Sequence, residues 1–446
     1  MYGPDEMGDT LPFVDLGDGM DGMVAAISMR YTHICALSTE GRVKCWGANS
    51  DGCLGGVNDS FTEIGATPGQ MGNNLPFVDL GTNRTARMIS AGWSFTCAVL
   101  DTYELKCWGA NGDGQLGVET TDLAVGTDPS QMGDALLPVL FPGNVGIQQV
   151  ATGSQHTCVI SVTSDLYCFG SNFEGMLGLG ITDGSWGSAA DEMGENLPMV
   201  DVGGTPWKIY ASDSNTCVIL TDGSVKCWGE GAFGMLGTGE TNAVGYVPDD
   251  MGVNLPMVDL GDVAALSLSM SYADVCVLLV DHTLKCWGGD VPVPGDDVYG
   301  FGNRTNKIMA IQSALTVHIQ CASWDDAPEP TMMCWGNNDF GNLGIGSVDT
   351  VVMEAGGPGN DTTPADIFLY TYPTSSPTPP TASPTSLPTV SPTHRPTQTP
   401  TSLPTAALAP TPTAKPTKKS SNAHMVTASG TTTYLLGFVI LLAVYQ

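Results

Sequence analysis

Basic residues are scarce in this chain: 15 Lys and Arg stand against 46 Asp and Glu, with six His. Every acidic residue lies at or before Asp366, and four basic residues (Arg395, Lys415, Lys418 and Lys419) follow it, so the part up to Asp366 carries 11 − 46 = −35. A surface this acidic repels phosphate backbones and excludes nucleic acid as an expected partner. The same charge serves either plain solubility in a salty medium or a face for cationic or metal-bridged partners. The apolar run at the end, Tyr434 to Gln446, holds 13 residues, where a spanning helix needs about 20. No P-loop, dinucleotide fingerprint or nucleophile elbow is present, and the start shows neither the basic nor the apolar region of a secretory signal. Asp/Gly clusters such as Asn111-Gly112-Asp113-Gly114 lack the later Glu and the ligand spacing of a calcium loop. No metal, no cofactor and no enzymatic activity are expected.

What is abundant is repetition. A unit of roughly 60 residues recurs, centred on a Cys, nine intervening residues, then Cys-Trp-Gly. The centres run from Cys35 to Gly47, Cys97 to Gly109, Cys158 to Gly170, Cys217 to Gly229 and Cys276 to Gly288, with a longer sixth from Cys321 to Gly336. Each reads as a β-hairpin, because β-branched and apolar residues flank a short turn such as Thr221-Asp222-Gly223. In that register the two cysteines of each centre lie opposite one another, about 4.5–5.5 Å apart at Cα, within disulfide reach. The expected bridges are Cys35–Cys45, Cys97–Cys107, Cys158–Cys168, Cys217–Cys227, Cys276–Cys286 and Cys321–Cys334. Reduced core thiols and zinc ligation are the competing readings, and zinc would need a second close pair. Bridges of this size are worth roughly 2–3 kcal/mol each and persist in an oxidising compartment. Cys53 is left over: a free thiol, an intermolecular bridge or, the preferred reading, a partner for a cysteine upstream of Met1.

Gly-rich turns follow the hairpins, Gly112 to Gly117, Glu174 to Gly178, Phe233 to Gly237 and Phe340 to Gly344, and Gly-x-x-His/Phe-Thr-Cys precedes two of them, at Gly92 to Cys97 and Gly153 to Cys158. With the Cys-Trp-Gly step, these motifs resemble the regulator of chromosome condensation repeat family in a secreted, cysteine-containing form, over about residues 20 to 346. The resemblance implies an all-β, seven-bladed β-propeller with one four-stranded blade per repeat. Phe169 in place of Trp, Cys53 in place of Gln and the stretched sixth copy depart from the pattern. His33 and His156 share one repeat position, where other copies place Phe95, Asn215 and Asp274, and are therefore expected to be structural.

Residues Tyr2 to Gly17 match Tyr246 to Gly261, so the chain opens inside a unit. The expectation is a truncated N-terminal repeat and a missing signal, which would bring six visible repeats to seven; a genuine start with six blades is the alternative. Prolines recur every four residues from Pro380 to Pro404, nearly all followed by Thr, and such a segment stays extended and accepts O-linked glycans, or serves as a bare disordered linker. Small residues at 420–423, a polar spacer and the apolar tail have the order of a GPI-attachment signal, with Ser421 as the lipidated residue and Asn422 second; a membrane helix over 427–446 is the alternative. Sequons stand at Asn58, Asn83, Asn303 and Asn360.

The expected organisation is a propeller over 1–366, a Pro/Thr stalk over 367–420 and an attachment signal or anchor over 421–446. The expected function is binding or adhesion at the extracellular face of the plasma membrane, with a protein or glycan partner and a membrane hold through the C-terminus. Guanine-nucleotide exchange or regulation, implied by the resemblance, and enzyme inhibition are the alternatives.

Overall fold

The structure is a computed structural model that describes residues 13–289, apart from 21–22, 58–61, 121 and 182–183, together with the strand segments 308–314, 319–324 and 331–336. The described residues all fall in one of the two units into which the chain divides. They form an all-β propeller. Blade one holds β1 (Val24–Arg30), β2 (His33–Ser38), β3 (Val43–Ala48) and β4 (Glu63–Ile64); blade two holds β5 (Ala86–Ala91), β6 (Phe95–Leu100), β7 (Leu105–Ala110) and β8 (Ala124–Val125). Blade three holds β9 (Ile147–Thr152), β10 (His156–Ser161), β11 (Leu166–Ser171) and β12 (Ser185–Trp186). Blade four comprises β13 (Pro206–Ala211), β14 (Asn215–Leu220) and β15 (Val225–Gly229), and blade five β16 (Ala265–Met270), β17 (Asp274–Leu279) and β18 (Leu284–Gly288). Blade six is β19 (Ile308–Ala314), β20 (Ile319–Trp324) and β21 (Thr331–Gly336). Strands within each sheet are antiparallel and follow chain order, and the first strands of successive blades neighbour one another around the axis.

The count of seven expected from the repeat is corrected here: the described residues form six sheets, five of them described with their side chains. Residues 13–17, the described end of the presumed half-unit, supply an outer arm and no strand. The Gly72 amide donates to the Asp15 carbonyl at 2.9 Å, and the Lys44 ammonium donates to the Leu16 and Gly72 carbonyls at 2.7 and 2.9 Å. The same clamp recurs from Lys106 to Leu80 and Gly133 and from Lys226 to Val202 and Gly252. Of the Lys residues that precede Cys-Trp-Gly, Lys44, Lys106 and Lys226 thus each tie two consecutive arms to their blade, and Lys285 donates to the Leu260 carbonyl at 3.0 Å. Copy three has Tyr167 at that position.

The middle strands are buried on both faces, which is why β6 reads Phe-Thr-Cys-Ala-Val-Leu rather than as an alternation. Side chains of one strand point to opposite faces. Phe95, Cys97 and Val99 enter the core shared with blade three, while Ala98, Leu100 and Trp108 enter the core shared with blade one. Cysteines therefore face the next blade, and tryptophans the previous one. All five described pairs, from Cys35–Cys45 to Cys276–Cys286, are disulfide-bonded. The turn bond from the Ser38 amide to the Arg42 carbonyl fixes the register. Counting back through alternating pairs makes 35 and 45 a non-hydrogen-bonded pair, the closer kind, with Cα atoms 4.1 Å apart. Cys321 is disulfide-bonded and faces Cys334 in the ladder.

The turn after each hairpin packs backbone to backbone on the next blade. A Cβ on Gly114 or Gly175 would sit 2.6 Å from the next blade's main chain, and both have positive φ, so no larger residue fits. From that turn a carbonyl receives the next blade's tryptophan. The Trp108 indole donates to Cys53 O at 3.0 Å, Trp228 to Met176 O at 3.0 Å and Trp287 to Met235 O at 2.9 Å. The ladder partners of the first two, Thr96 and Thr216, donate to the same carbonyls at 3.0 and 3.1 Å. Trp46 is only half-buried, because among the described residues no blade covers that side of blade one.

Trp108→Ala or Trp228→Ala is expected to destabilise the propeller by about 3–5 kcal/mol, through an interblade cavity and a half-served carbonyl. Trp46→Ala is expected to cost less than half as much. Denaturant unfolding of the three variants tests the ranking, and equal losses would contradict it.

Candidate functional site

The two ends of the propeller differ in chemistry. One end gathers the hairpins joining the first and second strands, together with the turns following the third strands, since the Ala48, Ala110, Ser171 and Glu230 amides donate to carbonyls of those hairpins. The residue four before the first Cys of each repeat sits in the inner hairpin: Tyr31, Trp93, Ser154, Asp213 and Tyr272. Tyr31 and Trp93 stack with ring centroids 4.7 Å apart and planes 12° from parallel. The Tyr31 hydroxyl donates to Asp213 Oδ2 at 2.9 Å. Tyr31 holds φ 48, a conformation that costs an L-residue on the order of 1–2 kcal/mol. Trp93 and Tyr272 are 45% and 49% exposed.

Beneath them lies Arg30, at a position that is Gly92, Gly153, Ser212 or Ser271 in the other blades. It crosses from blade one to blades three and four. Nη1 pairs with Asp213 Oδ1 at 3.0 Å, and Nη2 donates to Thr152 O at 2.7 Å and Ala211 O at 2.9 Å. Burial lowers the guanidinium's pKa, and Asp213 opposes that shift. For Tyr31, burial and then Asp213 raise the phenol's pKa.

The turns after the third strands add Phe173 and Phe233, 61% and 64% exposed. Phe233 has φ 59, an outlier for a bulky residue, so neither packing nor backbone preference accounts for a phenylalanine there. The turns of that end also carry carboxylates: Asp51 and Glu174 are exposed, Asp113 and Glu230 half-buried. Burial raises the pKa of Asp113. The turn segments 49–64, 111–125, 172–186 and 231–245 contain no Lys or Arg. The opposite end carries the tips of the second hairpins, with Glu40, Asp101, Glu104, Asp222 and Asp281, and also Arg42 and Arg84. Its carboxylates are engaged locally: Asp101 pairs with Arg84 at 3.3 Å, and Asp222 caps Ser224.

His33 and His156 are buried between blades, as the repeat position implied. His33 Nε2 lies 2.9 Å from Thr96 Oγ1, and His156 Nε2 2.9 Å from Thr216 Oγ1. Each Thr spends its proton on a carbonyl of the preceding blade. Nε2 therefore carries the histidine's proton, and Nδ1 is left without a hydrogen-bond partner. Burial, with the charge of Arg30 adding, lowers the pKa of His33 to about 4 and of His156 to about 3.

Cys53 lies in the turn that follows β3. Its thiol is buried and donates to Ala48 O at 3.2 Å, and burial raises its pKa to about 12. It is a free, enclosed thiol. Asn83 is exposed, at the end opposite the aromatic residues. Asn58, Asn303, Asn360 and Ser421 lie outside the described residues. Among those described, no group of three His, Cys, Asp or Glu side chains could hold a metal ion, and no helix is long and apolar enough to cross a membrane. The sequence reading missed the aromatic residues. Aligning the repeats on their cysteines puts Tyr31, Trp93 and Tyr272 in one column, but only the structure shows Trp93 and Tyr272 exposed.

Two profiles of the Regulator of chromosome condensation (RCC1) repeat match the chain, one at residues 24–53, 89–115, 147–175 and 208–234 and the other at 107–160. The chain therefore carries this repeat. It is 27% identical over 350 residues to the Ultraviolet-B receptor UVR8 of Arabidopsis thaliana, covering 74% of this chain and 69% of that protein. Among solved structures it is similar to human WBSCR16, with a TM-score of 0.56 and 17% identity over 73% of this chain and 80% of the other. It is also similar to Prp20p of Saccharomyces cerevisiae, which binds Gsp1p and histones, with a TM-score of 0.54 and 17% identity over 73% and 74%. At these identities the structures speak for the fold alone.

The two histidines make stability depend on acid. Their folded pKa values lie below the unfolded value of about 6.5, so their contribution is complete above that pH and is lost as pH falls towards 4. The expected slope is up to about 1.4 kcal/mol per pH unit for each histidine. His156→Asn, the residue blade four uses, should remove about half of it. Unfolding free energies at pH 7, 6, 5 and 4.5 measure this; an unchanged slope in the variant would contradict it.

Proposed function

We propose that this chain of regulator of chromosome condensation repeats is a protein-binding propeller of an oxidising compartment, and that its aromatic end is the binding face. The observation that carries the reading is the exposure of Trp93, Tyr272, Phe173 and Phe233 on one end, while Trp108, Trp228 and Trp287 of the blade interiors are fully buried. Large aromatic side chains left in water supply most of the energy of protein interfaces once covered. Loops at a propeller's ends vary without disturbing the blades, which suits them to recognition. The five cross-hairpin disulfides support an extracellular setting. On this reading the Pro/Thr segment is a stalk that holds the propeller off a surface, and Ser421 carries the lipid. The role is binding or adhesion at the cell surface.

A second reading, guanine-nucleotide exchange or another regulatory role, draws on the repeat family and on the likeness to Prp20p. Disulfides do not persist in the reducing cytosol or nucleus. Alkylation of the protein taken from its native cells, without reductant, separates the two: we expect ten or more of the 13 cysteines to resist labelling, and broad labelling would favour the second reading.

Trp93→Ser combined with Tyr272→Ser should abolish capture of the partner from cell-surface extracts and leave the melting temperature within about 2 °C, because both residues are exposed. Retained capture would remove the aromatic end as the binding face. Phosphatidylinositol-specific phospholipase C should release the full chain from expressing cells; if the tail stays attached to surface protein, the lipid assignment is wrong.

A further inference from the structure

Resting on the aromatic end as the binding face, we infer that its occupant is a cationic, arginine-bearing segment of a partner protein. Three observations converge. Trp93, Tyr272, Phe173 and Phe233 offer ring faces or edges to solvent on one end. Carboxylates of Asp51, Glu174 and Glu230 stand on the turns of that same end. The turn segments there contain no Lys or Arg, and the inner hairpins contain one, Arg30, which is buried and spent on Asp213, Thr152 O and Ala211 O. The exposed basic side chains of the described blades, such as Arg42 and Arg87, lie towards the other end.

The chemistry of a guanidinium fits this end better than that of an ammonium or of an apolar surface. An arginine plane stacks on an aromatic face while its edge donates to a carboxylate, and it sheds water more readily than lysine. An acidic or phosphorylated segment would meet only carboxylates. A purely apolar partner would bury Asp51 and Glu174 without a counter-ion, which is costly. The acid at the opposite end does not offer the same site, since Asp101 is paired with Arg84 and Asp222 with Ser224, and the aromatic residues there already hold a cation of this chain, Arg87 over Tyr103 and Lys208 over Trp207, each at 4.3 Å. Phe233 in a left-handed conformation and Tyr31 in another are consistent with residues retained for contact rather than for folding.

The test uses the full chain and fluorescently labelled octa-arginine, octa-lysine and octa-glutamate, read by anisotropy at about 50 and 200 mM salt. Octa-arginine should bind several-fold more tightly than octa-lysine, and octa-glutamate should not bind. Trp93→Ser with Phe173→Ser and Phe233→Asn should weaken octa-arginine about tenfold or more, and Glu174→Gln with Glu230→Gln about fivefold. Glu40→Gln with Glu104→Gln, the same charge change at the other end, should alter it less than about twofold. Equal losses from both ends would show only a diffuse acidic attraction and overturn the proposal. So would indifference to the aromatic substitutions, or a concentration-dependent dimer, abolished by them, that makes a second copy the occupant. If Trp93→Ser with Tyr272→Ser loses the native partner while octa-arginine fails to bind the wild type, the binding face stands and the cationic assignment falls.

Discussion

One carbonyl per blade organises the propeller. The turn after each hairpin presents its third-position carbonyl, Cys53 O, Met176 O or Met235 O, to the indole of the following blade. A buried carbonyl needs a donor, and a buried indole needs an acceptor. Neither group can be satisfied inside its own blade, so two blades are locked in one relative position. Where the threonine partner is present the carbonyl is served twice, and the histidine of the preceding blade then reaches that threonine. Blade three, with Phe169, keeps the threonine contact alone: Thr157 donates to Gln115 O at 2.8 Å. Blade five keeps the tryptophan and has Val275 opposite it. One of the two donors is enough to hold the register.

This blade-to-blade lock leaves the ends free to differ. Disulfides pin each hairpin from within, and the Lys clamps tie the outer arms, so the exposed side chains at either end are not what holds the blades together. One end uses that freedom for capped turns and local ion pairs. The other leaves aromatic rings and unpaired acid in water. Arg30 is the exception to modularity, because it takes a site that other blades fill with Gly or Ser and joins three blades through one guanidinium. A buried ion pair of this kind is weak evidence of added stability, since desolvation consumes much of the Coulomb gain. Its consequence is geometric: it fixes Asp213, which orients Tyr31, which stacks on Trp93.

Much of the architecture was legible in the chain because it depends on neighbours in sequence. Hairpin register, the five pairings of cysteines ten residues apart and the structural nature of His33 and His156 follow from spacing, the alternation of a strand and recurrence at one repeat position. The double burial of the middle strands shows in the same way, as uninterrupted apolar runs. Blade number does not follow from spacing: six sheets are described, and residues 13–17, the described end of the stretch that matches 246–261, form an arm and no strand.

The sequence by itself determined the repeat, its all-β hairpins, its acidity and its oxidised cysteines, since each is set by composition or by contacts within a few residues. Tertiary structure alone decided which residues share an end of the axis. Tyr31 and Asp213 are 182 positions apart, and nothing local marks either as the other's partner. The burial of Cys53, the placement of Arg30 and the presence of Trp93, Tyr272, Phe173 and Phe233 at the end away from Arg42 and Arg87 arise from how blades pack around an axis. That arrangement is set by long-range packing, which no single repeat contains.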